Sequence, residues 1–408
     1  MDINKFNGVA GDITPTNDSE HGDYFTFQPK FLPIEIDIDT ELARLLQNAS
    51  LRLGYLNGIG NKELNTTAFL SYSFRRREAV ASSNIEGTTS SLKNIVIAEA
   101  KKSIEGQKPT GEDLIVANNA AALEEGLGLI ATQDFNSELI LKLHKILLSG
   151  DVKQNLNKPG EFRDGANYIR PIESTTKPIL DSPYVPPQAK LIRPYMDNLF
   201  SHLNNGIDDA SELINVALAH YQFESIHPFW DGNGRIGRLL IILYLIKKKI
   251  ISIPLLSLSI YFEKERETYC DLLLKTNQEG DYHNWIKFFL QGIINQSDDI
   301  IADESKLIAF KDGIEKELLD YGSLGAKSVK VFESLLSEPF TSVPSVKKLL
   351  DVSYPTANKA IEKLVELGVI REITGKKSYK VYVAEAMINM VSGIPVQRTV
   401  ERQGDTVT

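Results

Sequence analysis

The sequence predicts a mainly α-helical protein carrying one β-hairpin flap and ending in a small mixed α/β unit. Three observations predict it. Apolar residues recur at helical spacing through most of residues 36–317, as in LARLLQNASLRLGYL. Residues 158–190, containing GEFRDGANYIRPIESTTKPILDSPYVPPQ, break that rhythm with dense Pro and Gly around β-prone pieces such as NYIRPI. Residues 325–385 then read as a helix, two helices joined by a tight turn, and two alternating strands around a Gly-Lys turn.

Taken in order, the polar opening (residues 1–35) reads as a loose N-terminal arm. Residues 36–130 read as an N-terminal helical region, with DLIVANNAAALEEGLGLI as its last helix. Residues 131–317 read as the core, beginning with SELILKLHKILLSG, which Gly150 closes. IEKELLDYGSLGAKS reads as a linker. Residues 325–388 follow as a unit whose order of elements resembles a winged-helix domain. Residues 391–408 read as a disordered tail.

Bulk composition narrows the function classes. With 42% hydrophobic and 24% charged residues, the chain has the balance of a soluble globular protein. A net charge of −9 argues against a general polyanion binder, so any nucleic-acid surface must be local. The single Cys270 excludes an internal disulfide and fits a reducing compartment. The opening residues lack an apolar stretch of signal-peptide length, and LLIILYLI at 239–246 is less than half a membrane span. A cytoplasmic protein without membrane contact is the expectation.

Residues 227–238 read HPFWDGNGRIGR. Within them GNGRIG fits the G-x-G-x-x-G pattern of a dinucleotide-binding turn, which must follow a buried strand. Here the preceding SELINVALAHYQFESI is helical in period, so that reading fails. The chemistry of an anion site remains. Gly232 and Gly234 let successive N–H groups converge on one point, and the chain then enters a helix whose N-terminus favours a phosphate. Arg235 and Arg238, three apart, share a face from which guanidinium groups grip phosphate oxygens. Asp231 is placed to hold a hard cation such as Mg²⁺ against those oxygens, and His227 can take a proton near neutral pH. Together they describe nucleotidyl or phosphoryl transfer onto a protonated nucleophile.

This segment resembles, at every constrained position, the active-site motif of Fic proteins, and HYQFESI, LHKILLS and GEFR extend the similarity. The resemblance implies a Fic-type helical bundle that transfers AMP from ATP, with Mg²⁺, to a Ser, Thr or Tyr hydroxyl of a target protein. It implies His227 as general base, Asp231 as metal ligand, Gly232, Asn233 and Gly234 as holders of the α- and β-phosphates, and Arg235 and Arg238 as reaching the β- and γ-phosphates. Phe229 would anchor the loop in the core. Asn167, Tyr168 and Ile169 stand where Fic enzymes pair with a target strand. Tyr269 and Asn277 match positions lining the adenine and ribose pocket, with a core aromatic as the alternative for Tyr269.

Upstream, Ser82, Glu86 and Gly87 reproduce the S-x-x-x-E-G pattern of the inhibitory helix of Fic proteins. Gly87 looks like a C-cap, which puts Glu86 in a last helical turn, where its charge opposes the helix dipole. That placement calls for a cationic partner, and Arg238 is the expected one. The same carboxylate could instead orient water to remove AMP, so the direction stays open. The C-terminal unit carries ten Lys and Arg against seven Asp and Glu over residues 325–385, a local net of +3. Thr356, Asn358, Lys359 and Lys363 on its second helix, and Lys376, Lys377 and Lys380 on its wing, could meet DNA phosphates. Such units also bind proteins or dimerise, and a homo-oligomer is expected. The rival reading is a DNA-binding regulator that uses the core as a nucleotide sensor; retention of His227 favours the enzyme.

Overall fold

The computed structural model describes residues 1–60, 65–150, 157–169, 179–206 and 211–392. Two strands open the chain, β1 (Gly11–Asp18) and β2 (Gly22–Pro29). Helices follow: α1 (Thr40–Gly60), α2 (Asn65–Ile85), α3 (Leu92–Glu105), α4 (Gly111–Ile130), α5 (Ser137–Leu147), α6 (Ile192–Asn205), α7 (Glu212–Ile226), α8 (Asn233–Lys247), α9 (Leu258–Lys264), α10 (Arg266–Glu279) and α11 (Tyr282–Leu319). The C-terminal part comprises α12 (Gly322–Leu335), β3 (Phe340–Ser342), α13 (Val343–Leu350), α14 (Tyr354–Glu366), β4 (Arg371–Glu372), β5 (Val381–Val383) and α15 (Glu385–Val391). The fold is mainly helical, as the sequence predicts.

The chain divides into two compact units that interleave in sequence. One holds residues 1–57, 81–88 and 118–297, and the other 58–80, 89–117 and 298–408. The unit containing the C-terminal elements also takes α3 and most of α2. In that unit β3, β5 and β4 form an antiparallel sheet, and α3 packs on it.

In the first unit α7 and α8 form the centre. α7 begins on the Ser211 hydroxyl, which caps Leu213 N–H. Both helices are buried almost all round, and the LLIILYLI run is the inner body of α8 rather than a membrane segment. No helix among the described residues is long and apolar enough to cross a membrane.

Three expectations need correction. Residues 11–29 are no loose arm. They form an antiparallel ribbon with Thr14 opposite Thr26, and β2 buries Tyr24, Thr26 and Phe27. Asp18 accepts from the Glu20 and His21 N–H groups, and Gly22 turns the chain at φ +68°. The supposed linker 314–328 is helical on both sides of Asp320–Tyr321. Ile314 and Leu318 continue the buried stripe of α11, and Gly325 lets α12 approach it, since a Cβ there would meet the Leu318 carbonyl oxygen at 1.8 Å. Within the flap, the described residues make a single antiparallel bridge, Ile169 with Tyr184, rather than full strands. Its tip, 170–178, lies outside the described residues, as does the tail from 393; residues 391–392 finish α15.

Candidate active site

His227 ends α7. It adopts φ 49° and ψ 60°, the left-handed region, and its N–H closes the helix on the Phe223 carbonyl. That conformation costs about 1–3 kcal/mol for a residue with a Cβ, and the following Pro228 disfavours it further. The surroundings must hold it. Phe229 is fully buried and lies flat on His144, ring centroids 3.7 Å apart at 10°. Asn233 clamps the loop on Phe229: its Oδ1 accepts the Phe229 N–H at 2.8 Å, and its Nδ2 donates to the Phe229 carbonyl at 2.9 Å. The Asn233 side chain is thereby engaged on the loop itself, and its main-chain N–H stands at the first turn of α8.

The residues expected to form an anion cradle lie together at the start of α8. Gly232 sits at φ +83° as the N-cap of α8, so the chain turns and points its free N–H groups outward. Arg235 and Arg238 follow on this helix, both buried. Arg235 donates to Asp231 Oδ1 at 3.1 Å, and its Nε has no hydrogen-bond partner among the described residues. Asp231 is half exposed; its Oδ1 also accepts from Gly232 N–H, and its Oδ2 from Asn157. No cluster of three metal-ligating side chains exists among the described residues. A lone, accessible carboxylate beside a phosphate cradle nevertheless suits Mg²⁺, which is held by one or two carboxylates together with nucleotide phosphates and water.

Glu86, Ser82 and Arg238 come together. The Arg238 guanidinium donates to Ser82 Oγ at 2.9 Å, to the Ser82 carbonyl at 2.7 Å and to Glu86 Oε1 at 2.7 Å. Gly87, at φ +104°, turns the chain just past α2, so Glu86 follows the last helical residue. Gly234 makes room for the carboxylate. A Cβ there would stand 2.2 Å from Glu86 Oε1, so Glu86 reaches the N-terminal turn of α8 itself. Burial disfavours the charged form of Glu86, yet Arg238, with Arg235 and His227 behind it, holds its carboxyl below the usual range. It keeps 43% of its side chain open to solvent while bonded to the buried Arg238. A second acid, Glu224, lies against Gly237 and Arg238; burial above all, then Glu86, pushes its carboxyl up to about 8, so it is neutral beside the ionised Glu86.

Burial, and then the Arg163 cation, push the His227 imidazole down to about 4, against opposing pulls from Glu86, the Glu224 carbonyl and Asp231. A neutral imidazole is the form a general base requires.

Two of the residues expected at the adenine and ribose pocket are buried and bonded within the protein. Tyr269 is 3% exposed, stacked on Phe262 at 4.6 Å and hydrogen-bonded to His220. Asn277 accepts on Oδ1 from Tyr221 and Ser225 and donates from Nδ2 to the Leu273 carbonyl. The flap residues do reach the site. Asn167 donates to the Phe229 carbonyl at 3.1 Å, Tyr168 packs on the Tyr24–Val185 cluster, and Ile169 is partly exposed.

Residues without an assigned role in the sequence reading complete the site. His144, from LHKILLS, accepts the Gly160 N–H on Nδ1, so its Nε2 carries the proton donated to the Asp231 carbonyl at 3.0 Å. Arg163, from GEFR, is 2% exposed and ties down the turn at His227. Arg266 donates to the Ile85 carbonyl and so closes the end of α2 beside Glu86. The conspicuous His and Arg in those quoted segments were the available signal.

Comparison with known proteins identifies relatives of this chain. Residues 134–245 match the Fic/DOC family and residues 43–128 the Fic/DOC family N-terminal region. The chain thus carries a Fic/DOC domain preceded by the N-terminal region found with it. Over 208 residues it is 28% identical to the proteins named "Protein adenylyltransferase Fic" of Drosophila willistoni and Drosophila melanogaster; the match spans 50% of this chain and 37% of theirs. Among solved structures, a Fic family protein from Desulfovibrio desulfuricans G20 superposes with a TM-score of 0.54 at 22% identity, covering 86% of this chain and 97% of that one. A Fic domain containing signaling protein from Bacteroides thetaiotaomicron gives 0.50 at 17% identity, covering 64% and 97%. These likenesses carry the fold.

Proposed function

We propose that this Fic/DOC-domain chain is a protein adenylyltransferase, moving AMP from ATP to a hydroxyl side chain of a target protein, and that Glu86 restrains it. The observation that carries this reading is a carboxylate seated in an anion site. Glu86 lies 2.7 Å from Arg238 at the N-terminus of α8, over Gly234, where a terminal phosphate would otherwise be gripped. While Glu86 holds Arg238, a nucleotide loses that grip and its α-phosphate is misaimed.

In the transfer, His227 accepts the proton of the target hydroxyl, whose oxygen forms a bond to the α-phosphorus. The bond from that phosphorus to the β-phosphate bridging oxygen breaks, and pyrophosphate leaves with the electron pair. Mg²⁺, when bound, neutralises charge on the phosphate oxygens, and Asp231 is the residue that would hold it. The main-chain N–H groups at the start of α8 and the Arg235 guanidinium would orient the phosphates. Asn167, Tyr168 and Ile169 would receive the target as an added strand.

The names of the Drosophila relatives support this chemistry, and the distance of the match leaves the target and the preferred direction of reaction as proposals. The C-terminal unit follows the order of a winged helix. We read it as a protein-docking or self-associating module in preference to a DNA reader, because several of its polar side chains are already bonded within the chain: Asn358 to Glu362, Lys363 to Glu366, and Lys376 to Glu105.

The test is incubation with labelled ATP and Mg²⁺, alone and with a lysate of the source cell. Label should enter protein in a His227-dependent manner, more strongly when Glu86 is replaced by Gly. Absence of label from every protein with both the native and the Glu86→Gly chains would refute the reading.

A further inference from the structure

Arg163 is a buried cation without a buried acid. Its guanidinium makes four hydrogen bonds, all to main-chain carbonyls: Nε to His227 at 2.8 Å, Nη1 to Gly165 at 2.8 Å, and Nη2 to Pro187 at 2.6 Å and Ile226 at 3.3 Å. Its own N–H donates to the Pro228 carbonyl at 2.9 Å. Three consecutive carbonyls, 226, 227 and 228, thus end on one residue. They bracket the residue held in a left-handed, pre-proline conformation that it would not adopt unaided. An arginine used only to staple a loop could be matched by a carboxylate, which would cut the cost of burying its charge. No acid pairs with it among the described residues, and burial pulls the guanidinium down to about 10.

We infer that Arg163 is a positioning residue for the transfer proposed above: it fixes the turn that aims His227 and places an unneutralised charge beside the imidazole. The two tasks are separable. The hydrogen bonds need the planar fork of arginine, whereas the field needs only a positive charge. The field keeps His227 unprotonated and ready to accept the hydroxyl proton well into acidic solution. Groups opposing it are Glu86, the Glu224 carbonyl and Asp231, and burial acts in the same sense as Arg163. Glu86 weakens the field, so removing that carboxylate should lower the imidazole further as well as free Arg238.

The inference rests on the transferase reading, so one arm of its test needs no catalysis. The His227 ring is titrated by NMR in the full chain, its signal identified by comparison with His227→Asn. In the native protein it should stay neutral far below pH 6.5. Arg163→Met should raise its midpoint toward the ordinary histidine value, while Arg163→Lys, with the charge kept, should leave it low. In the second arm, pH profiles of AMP transfer are compared in the Glu86→Gly background. Both variants should lose about 10- to 100-fold in kcat, with KM for ATP little changed, because the base is misaimed. Only Arg163→Met should move the acidic limb upward. An ordinary His227 titration in the native chain, or an unmoved midpoint in Arg163→Met, overturns the electrostatic half. Full kcat in Arg163→Lys overturns the positioning half. If Arg163→Met does not fold, the same titration in Arg163→Gln, which removes the charge but keeps a hydrogen-bond donor, decides the electrostatic half, and Arg163→Lys decides the positioning half. Failure of AMP transfer in the parent, with the NMR shifts as expected, would count against the transferase reading and leave standing only the electrostatic effect of Arg163 on His227.

Discussion

Arg238 and Lys363 are each paired to a carboxylate near a helix end, and the two pairs are built differently. Lys363 meets Glu366 three residues further along α14, with its ammonium also 4.0 Å from the Tyr321 ring centre. Both partners belong to the helix that carries them, and a pair of that kind stabilises a helix by a few tenths of a kcal/mol. Arg238 meets Glu86, 152 residues away, and is itself buried. That carboxylate stands past the C-terminus of α2, where the dipole opposes it, and touches the N-terminus of α8, where the dipole favours it. A short-range pair decorates a helix. The long-range pair places a carboxylate on a helix N-terminus, where the proposed function seats a phosphate.

The largest expected effect tests the reacting end of that site. His227→Ala in the Glu86→Gly background should reduce AMP transfer by about 10²–10⁴, with ATP binding retained by calorimetry. Transfer close to that of the parent would remove His227 from the mechanism.

Next is the cation. Asp231→Asn should raise the Mg²⁺ concentration for half-maximal transfer by about tenfold or more, and chelation should abolish transfer in both proteins. Stability should change little, because the carboxylate is half exposed and Asn can still accept the Gly232 N–H. Indifference to chelation would break the metal assignment.

The third prediction concerns the buried imidazoles. Burial, the largest cause in each, lowers His144 to about 4, His220 to about 3 and His227 to about 4. Unfolded, each titrates near 6.5, so between pH 6.5 and about 4 the unfolded chain binds protons that the fold refuses. Stability is lost as pH falls through that window, by up to about 1.4 kcal/mol per pH unit for each fully engaged group. Glu224 works the other way: raised to about 8, it holds a proton in the fold and costs stability as pH rises above 4.5. Thermal melts from pH 7 to 4.5 should show a steep fall in Tm, and the His144→Asn variant a shallower one. Parallel slopes for the two would mean that His144 is not held neutral by the fold.

The smallest effect belongs to the C-terminal unit. Replacing Lys359 and Lys377 by Ala should leave transfer within about twofold and make little difference to duplex DNA binding, which should be no tighter than about 10⁻⁴–10⁻⁶ M, the non-specific range. Salt-sensitive, sequence-selective binding lost in that variant would instead make the unit a DNA reader.

How much of this was legible in the sequence follows the range of the interactions. The loop at 227–238 could be read because its chemistry is local: Gly232 turns the chain, Asp231 meets Arg235 four residues on, and Asn233 closes on Phe229. Glu86 was found through its pattern with Ser82 and Gly87, and its partner through the charge left facing a helix C-terminus. The ribbon at 11–29 was missed because its polar composition outweighed the alternation of YFTF, whose Tyr24 and Thr26 are buried while Phe25 is exposed. For Tyr269 and Asn277, a position in a motif does not say whether a side chain faces a pocket or the core; their partners Tyr221, Ser225 and His220 lie on another helix. Arg163 and His144 act on main-chain atoms far along the chain, which no side-chain pattern announces.

The most direct measurement of the central claim is the amount of AMP incorporated, by intact mass, when the native and Glu86→Gly chains are incubated with ATP and Mg²⁺. If Glu86 occupies the phosphate grip of Arg238, the Glu86→Gly chain should incorporate clearly more AMP than the native one. Glu86→Gln should fall between them, and Arg238→Ala in the Glu86→Gly background should erase the gain, since both changes act through one guanidinium. Equal or lower incorporation by the Glu86→Gly chain would contradict the account.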